Sequence, residues 1–101
     1  MINVIVTYTV KPDRVGENEA LVRAVYDELR QTADPDVHYA TFRKEDGRTF
    51  VHVAFFPSEE KQRVLSGSEA FRAFQADLRD RCEVPPHAEP VTPVDSYNFS
   101  L

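Results

Sequence analysis

The order of hydrophobic patterns along this chain constrains its fold more than any single residue does. Segments with the two-residue alternation of strands and segments with the three- and four-residue spacing of helices follow one another along the chain. The predicted strands are residues 2–10, 37–44, 49–56 and 91–99, and the predicted helices are residues 15–31 and 68–82. The resulting order, β-α-β-β-α-β, is the ferredoxin-like arrangement, an α+β fold with both helices on one face of a four-stranded antiparallel sheet.

The composition limits the classes of protein to which the chain can belong. Its 101 residues suffice for a single domain, and a net charge of -5 with no basic run argues against a nucleic-acid or anionic-membrane partner. No segment approaches the ~20 apolar residues of a membrane span. Cys82 is the only cysteine, which excludes an internal disulfide. We therefore expect a cytoplasmic protein.

The second half of the chain predicts a short helix followed by a longer one. Ser58 and the two glutamates after it predict a helix that runs to about Leu65. Ser66 and Glu69 have the spacing of a capping box for the next helix. An apolar stripe along that helix is expected to pack on the sheet; it consists of Phe71, Phe74, Leu78 and Cys82.

The predicted strand 49–56 is apolar on both faces. Its even positions hold Phe50, His52, Ala54 and Phe56, and its odd positions hold Val51, Val53 and Phe55. A strand of this kind is covered on both faces, whereas the helices of this fold cover only one. We therefore predict a homodimer in which two sheets face each other. The candidate contact residues are Ile5, Val51, Val53 and Phe55.

Three stretches resemble one known group of proteins, the dimeric α+β barrel superfamily, and within it the antibiotic-biosynthesis-monooxygenase type of domain. They are Val10-Lys11-Pro12 before the first helix, residues 49–60 with Ser58-Glu59-Glu60 at their end, and residues 68–74 with a Phe-x-x-Phe pair. The group includes oxygenases of aromatic substrates that need no metal or flavin, quinol oxygenases, haem-degrading enzymes and members without a known reaction. The resemblance implies a dimeric α+β barrel and a cofactor-independent monooxygenase-like activity on a small aromatic or quinone-like compound.

Several positions differ from the pattern of the group. Phe56 and Ala54 stand where many members have a tryptophan and a glutamate, and Ala70 replaces a histidine before the Phe-x-x-Phe pair. Haem-degrading relatives use an asparagine, a tryptophan and an axial histidine, and the matching positions are Val6, Leu65 and Gln75. We therefore expect no haem and no other cofactor.

His52 and Tyr8 are the candidate catalytic residues. His52 is a titratable group in an otherwise apolar strand, and a histidine in a pocket between sheet and helices can act as a general base near neutral pH. The alternative is a buried imidazole that is simply hydrogen-bonded. Tyr8 is expected to orient a phenolic ligand, or to be a core tyrosine with its hydroxyl at the rim. The three histidines are not grouped, so no metal site is predicted.

Two classes of function stay open from the sequence. In the first, an enzyme uses a base and a dry apolar pocket to react an activated aromatic compound with oxygen. In the second, the chain is a non-catalytic dimer that binds a small ligand or has a structural role. The same apolar residues are expected to contact an aromatic ligand in either case; they are Phe56, Leu65, Phe71 and Phe74.

Overall fold

A computed structural model describes residues 1–99 of the chain. Its strands are β1 (Ile2–Val10), β2 (His38–Arg43), β3 (Thr49–Phe56) and β4 (Cys82–Pro90). Its helices are α1 (Val15–Thr32), α2 (Glu59–Ser66), α3 (Glu69–Ala76) and α4 (Leu78–Arg81), with a 3₁₀ turn at Pro12–Arg14 before α1. The four strands form one sheet in the order β2-β3-β1-β4, and all neighbours are antiparallel. The ferredoxin-like α+β architecture is confirmed.

The last strand is not where the sequence placed it. Residues 91–99, the predicted strand, form none, and β4 occupies residues 82–90 instead. This stretch contains Pro85, Pro86 and Pro90, residues that normally argue against a strand. The prolines are tolerated because β4 is an edge strand that pairs only with β1, and the β1–β4 register is irregular between Thr7 and Val10.

The predicted helix 68–82 is divided into α3 and α4. The backbone of Asp77 leaves the helical region at φ -117° and ψ 18°, and Cys82 is already extended as the first residue of β4. Cys82 is nevertheless buried, as the apolar stripe predicted. The apolar stripe therefore predicts correctly that Cys82 is buried, although Cys82 belongs to a strand and not to the predicted helix.

The N-termini of α2 and α3 are capped by serines. Ser58 accepts a hydrogen bond from the backbone N–H of Lys61, as the sequence indicated. Ser66 is the last residue of α2, so the predicted Ser66–Glu69 capping box is wrong. The cap of α3 is Ser68, whose hydroxyl oxygen accepts from the backbone N–H of Phe71. The carboxylate of Glu28 on α1 also accepts from two free N–H groups at this terminus, which joins α1 to α3.

The core lies between the helices and the face of the sheet formed by even-numbered residues of β1 and β3. Tyr8, Val10, Phe50 and Phe56 are at most 2% exposed, and side chains from α1, α2 and α3 pack on them. The opposite face carries the predicted contact residues, which are half-buried within the sheet, and Phe42, which is 58% exposed. Within residues 1–99 no second layer covers this outer face.

None of the helices in residues 1–99 combines the length and the apolar character that crossing a membrane requires.

Candidate functional site

A cavity of about 610 Å³ opens between the even-numbered face of the sheet and the helices α2 to α4. The sheet contributes Tyr8, Tyr39 and His52 to its wall, and Pro86 and Ala88 of β4 line one side. Its volume lies in the range of pockets that hold a small organic ligand. The cavity therefore has the size for one aromatic compound of a few fused rings.

All four residues predicted to contact a ligand line this cavity. They are Phe56, Leu65, Phe71 and Phe74. Phe74 is 3% exposed, and its ring lies 5.4 Å from that of His52 and 5.9 Å from that of Phe71. Phe71 is only half-buried, because it stands at the cavity rather than within the packed core. The aromatic wall lies directly beside the polar residues of the site.

Strand alternation places His52 on the cavity side of the sheet, where it is 3% exposed. Its Nε2 atom lies 2.7 Å from the hydroxyl oxygen of Tyr8. Its Nδ1 atom lies 2.5 Å from the hydroxyl oxygen of Tyr39 and 3.1 Å from that of Thr41. The pairing register explains these contacts, because His52 is directly opposite Val6 and Thr41, and both tyrosines are its diagonal neighbours. The two predicted catalytic residues are thus brought together.

Two further buried polar residues extend this network away from the cavity. Asn18 on α1 donates from Nδ2 to the Tyr8 hydroxyl at 3.0 Å, and its Oδ1 accepts from Nε of Arg81 at 3.1 Å. Arg81 also donates from Nη2 to the carbonyl oxygen of Phe74 at 2.7 Å. Asn18 and Arg81 are both 0% exposed.

Asn18 and Arg81 are not among the residues predicted from sequence, although both follow a helical spacing that is visible there. Asn18 precedes Val22 and Val25 by four and seven residues, and Arg81 follows Phe74 at seven. A polar residue at such a position in an apolar stripe is expected to be buried and hydrogen-bonded. This spacing was the signal that could have revealed them.

Burial determines the protonation states at the site. It lowers the pKa of His52 to about 4, so the imidazole is neutral at neutral pH. Burial also raises the pKa of Tyr8 above its ordinary value, against the opposing effect of the hydrogen bond from Asn18. The pKa of Tyr39 is raised by burial as well. The cavity therefore presents a neutral base between two neutral hydroxyl groups.

Arg81 is a buried cation without an anionic partner in residues 1–99, where the ion pairs all join other residues. Its guanidinium carbon lies 5.4 Å from the ring centroid of Phe74, within the range of a cation–π contact. Its Nη1 atom has no hydrogen-bond partner in the described part of the chain. The positive charge of Arg81 is thus stabilised by the Asn18 and Phe74 carbonyl oxygens and by the face of the Phe74 ring, not by a carboxylate.

Residues 1–99 contain no group of three or more histidine, cysteine or acidic side chains with a geometry suited to a metal ion. Val6, Leu65 and Gln75, which match the haem-contact positions of haem-degrading relatives, all line the cavity. None of the three can ligate iron as a histidine does, and both ring nitrogens of His52 already have hydrogen-bond partners. These residues do not fit a haem. His38 lies on the outer face opposite Phe55, and His87 is exposed beside Glu89.

The model of the family described as antibiotic biosynthesis monooxygenase matches residues 1–77. No curated protein matches the chain. Among solved structures, Rv0793 of Mycobacterium tuberculosis is similar with a TM-score of 0.77 and 21% identity, covering 94% of this chain and 96% of that one. A putative antibiotic biosynthesis monooxygenase from Bacteroides thetaiotaomicron has a TM-score of 0.82 and 11% identity, covering 99% and 94%.

A third similar structure is a variant of SnoaB, a cofactor-independent oxygenase from Streptomyces nogalater. It has a TM-score of 0.71 and 14% identity, and the match covers 97% of each chain. At these identities the structural likeness supports the fold, while the family match over residues 1–77 carries the assignment. The chain therefore belongs to the antibiotic biosynthesis monooxygenase family.

Proposed function

We propose that this protein is a cofactor-independent monooxygenase that acts on a small aromatic or quinone-like compound. The observation that carries the proposal is a neutral histidine on the aromatic wall of the cavity, hydrogen-bonded to a tyrosine that lines the same cavity. Family membership and the likeness to a cofactor-independent oxygenase support the same reaction type. We place the protein in the cytoplasm as part of this proposal.

The first step is removal of a proton from the substrate. A hydroxylated anthrone is a suitable substrate class, because its methylene carbon lies between two aromatic rings that conjugate the resulting carbanion with the carbonyl group. The Tyr8 hydroxyl oxygen accepts the proton while its own proton passes to Nε2 of His52, which lies 2.7 Å from that oxygen. His52 is thus the proton acceptor, and Tyr8 orients the substrate and relays the proton.

The low pKa of His52 has a consequence for this step. A buried imidazolium with no anion beside it is unfavourable, which is why burial lowers the pKa of His52 to about 4. The substrate carbanion formed in the same step supplies the missing negative charge. Proton transfer is therefore favoured only when an acidic substrate occupies the cavity.

Oxygen then reacts with the carbanion, and atoms and electrons balance without a further reductant. One electron passes from the carbanion to O₂, and the two radicals combine to form a carbon–oxygen bond. The resulting peroxide takes a proton from His52. Loss of the second hydrogen on that carbon, with cleavage of the O–O bond, gives a carbonyl group and one water. The aromatic wall formed by Phe56, Phe71 and Phe74 gives these intermediates apolar surroundings on one side.

A non-catalytic ligand-binding dimer is the second candidate function. Two observations favour it. Both ring nitrogens of His52 are already hydrogen-bonded, and Ala54 and Ala70 stand where many members of the family have a glutamate and a histidine. In this case the cavity binds the same class of compound and does not consume oxygen. Either function is compatible with a homodimer formed through the outer face, which we include in the proposal because that face holds half-buried apolar residues and Phe42.

Oxygen uptake distinguishes the two candidates. Dithranol, a simple hydroxylated anthrone, is mixed with the protein in the presence of a metal chelator, and O₂ consumption is measured against spontaneous oxidation. We expect one O₂ consumed for each carbonyl formed, and a loss of roughly 10²-fold or more in His52→Phe and Tyr8→Phe. The matched control is His38→Phe, on the outer face, which should keep the wild-type rate. Saturable binding with no uptake above the spontaneous rate would support the ligand-binding alternative and contradict the enzyme.

A further inference from the structure

The buried pair formed by Arg81 and Asn18 does not reach the cavity, yet it ends on the hydroxyl group of Tyr8. We propose that Arg81 acts through Asn18 and Tyr8 to hold His52 in the tautomer with its proton on Nδ1 and its lone pair on Nε2. Arg81 and Asn18 are thereby positioning residues for the proton relay. The inference deepens the proposed function and rests on it for its role in catalysis, but the tautomer itself is measurable without any substrate.

The first step is the orientation of the Asn18 amide. A guanidinium has only N–H donors, so the atom of Asn18 that faces Arg81 at 3.1 Å must be the acceptor Oδ1. The amide nitrogen then faces Tyr8 at 3.0 Å and donates to its hydroxyl oxygen. Arg81 therefore removes the alternative orientation in which Asn18 would accept from Tyr8.

The second step is the direction of the hydrogen bond between Tyr8 and His52. If Nε2 of His52 carried the proton, the Tyr8 oxygen would accept from both His52 and Asn18. The hydrogen of Tyr8 would then have no acceptor in residues 1–99, although Tyr8 is only 1% exposed. A buried donor without a partner is unfavourable, so this arrangement is expected to be the minor one.

The opposite direction gives the buried hydroxyl hydrogen of Tyr8 an acceptor. Tyr8 donates to Nε2 of His52, and the proton on Nδ1 is donated to the hydroxyl oxygen of Tyr39 or Thr41. The Thr41 hydroxyl can donate to the hydroxyl oxygen of Tyr26 at 2.7 Å. The hydroxyl hydrogen of Tyr39, which is half-buried and lines the cavity, is left without an acceptor among these groups. The Tyr39 hydroxyl can therefore donate its hydrogen to a ligand in the cavity.

The direction of these hydrogen bonds limits the class of ligand that the cavity can bind. Tyr8 offers its remaining lone pair to the cavity, and Tyr39 offers its hydrogen. A ligand that satisfies both has an acidic hydrogen for Tyr8 and a carbonyl or phenolic oxygen for Tyr39. Hydroxylated anthrones and hydroquinones contain both groups, whereas an aromatic hydrocarbon contains neither.

The test is ¹⁵N NMR of the His52 ring, in which the couplings to the ring protons identify the protonated nitrogen. In the wild-type protein we expect the Nδ1–H form in roughly tenfold excess or more. Asn18→Asp is the informative variant, because a carboxylate can only accept and lies beside Arg81, its natural partner. Tyr8 should then donate to the carboxylate, and the His52 tautomer should change to Nε2–H.

Two substitutions of Arg81 form a matched pair. Arg81→Met removes the donor, so the Asn18 amide can adopt either orientation, and a mixture of His52 tautomers is expected. Arg81→Lys keeps a donor and should restore the wild-type excess of Nδ1–H. A wild-type protein with the proton on Nε2, or an unchanged tautomer in folded Asn18→Asp, would overturn the inference. If Asn18→Asp does not fold, the wild-type spectrum and the Arg81 pair decide.

The outcomes separate this inference from the proposed function. The predicted tautomers in the absence of oxygen uptake would leave the inference intact and contradict the enzyme. Oxygen uptake that depends on His52, with the proton found on Nε2, would support the enzyme and contradict the inference. If both hold, Asn18→Asp should lower kcat for dithranol by at least ~10-fold, and Arg81→Lys should recover more of it than Arg81→Met.

Discussion

The imidazole of His52 is 3% exposed, and its three hydrogen-bond neighbours are all hydroxyl groups, on Tyr8, Tyr39 and Thr41. Burial lowers the pKa of His52 to about 4, and no carboxylate is among the causes. A neighbouring carboxylate would raise the pKa instead. Within residues 1–99 no charged group is hydrogen-bonded to His52, so burial keeps the imidazole neutral, and in the proposed reaction its proton affinity depends on the ligand.

The lowered pKa of His52 predicts a pH dependence of stability. In the unfolded chain this histidine takes up a proton below about pH 6.5, whereas in the folded protein it does so only near pH 4. Stability is thus complete above about pH 6.5 and is lost as the pH falls through this window. The shift corresponds to about 3 kcal/mol in the free energy of unfolding. Urea denaturation at pH 7.0 and pH 4.5 should show most of this loss in the wild type.

His52→Phe is the control for the pH dependence. The variant lacks the titrating group, so its free energy of unfolding should change less between the same two pH values. Its absolute stability is expected to be lower, because Tyr8 and Tyr39 lose a buried partner. Equal losses in wild type and variant would mean that His52 is not held neutral in the folded protein.

At the scale of elements, strands and helices with strong local periodicity were predictable from sequence. The bounds of β1 and β3 match the prediction, and α1 extends one residue beyond it, to Thr32. β4 was not predictable, because Pro85 and Pro86 suppress the strand signal while pairing with β1 is a property of the folded chain. The local hydrophobic pattern thus predicts strands and helices, but pairing at the edge of a sheet can form a strand that this pattern does not predict.

The candidate site was predictable only in part, for a similar reason. Strand alternation places Tyr8 and His52 on the same face of the sheet. Whether their side chains are in contact depends on the pairing register of the two strands, which the sequence of either strand alone does not determine. Asn18 and Arg81 come from α1 and α4, and their contact spans 63 positions of the chain. The pairing of these two residues depends on how α1 and α4 pack against each other, and the sequence of neither helix predicts it.

The packing of α3 on the sheet gives a prediction at this scale. Phe74 is 3% exposed and contacts the rings of Tyr8, His52 and Phe71. Phe74→Ala should lower the free energy of unfolding by roughly 3–5 kcal/mol, since the surrounding rings cannot close the space. Phe71→Ala is the matched variant and should lose clearly less, because Phe71 is half-buried at the cavity. Similar losses measured by chemical denaturation would show that α3 is oriented differently on the sheet.

At the scale of the whole molecule, the outer face of the sheet determines the expected assembly. We predict a homodimer that buries roughly 1,600 Å² or more and includes Val53 and Phe55. Val53→Glu should convert the dimer into a folded monomer, because a carboxylate in an apolar interface is unfavourable. Ala73→Glu, on the exposed side of α3, should leave the dimer intact. Sedimentation velocity at micromolar concentration measures all three proteins, and a compact wild-type monomer would contradict the prediction.

The central claim is that the cavity beside His52 is the ligand site, and NMR of the three histidine rings tests it most directly. Dithranol is titrated into the protein without oxygen, so that binding is observed without turnover. We predict saturable shifts of the His52 ring nitrogens, while His38 on the outer face and exposed His87 serve as internal controls and stay unchanged. Shifts confined to His38 or His87, or no shift of any ring at saturating dithranol, would contradict the claim.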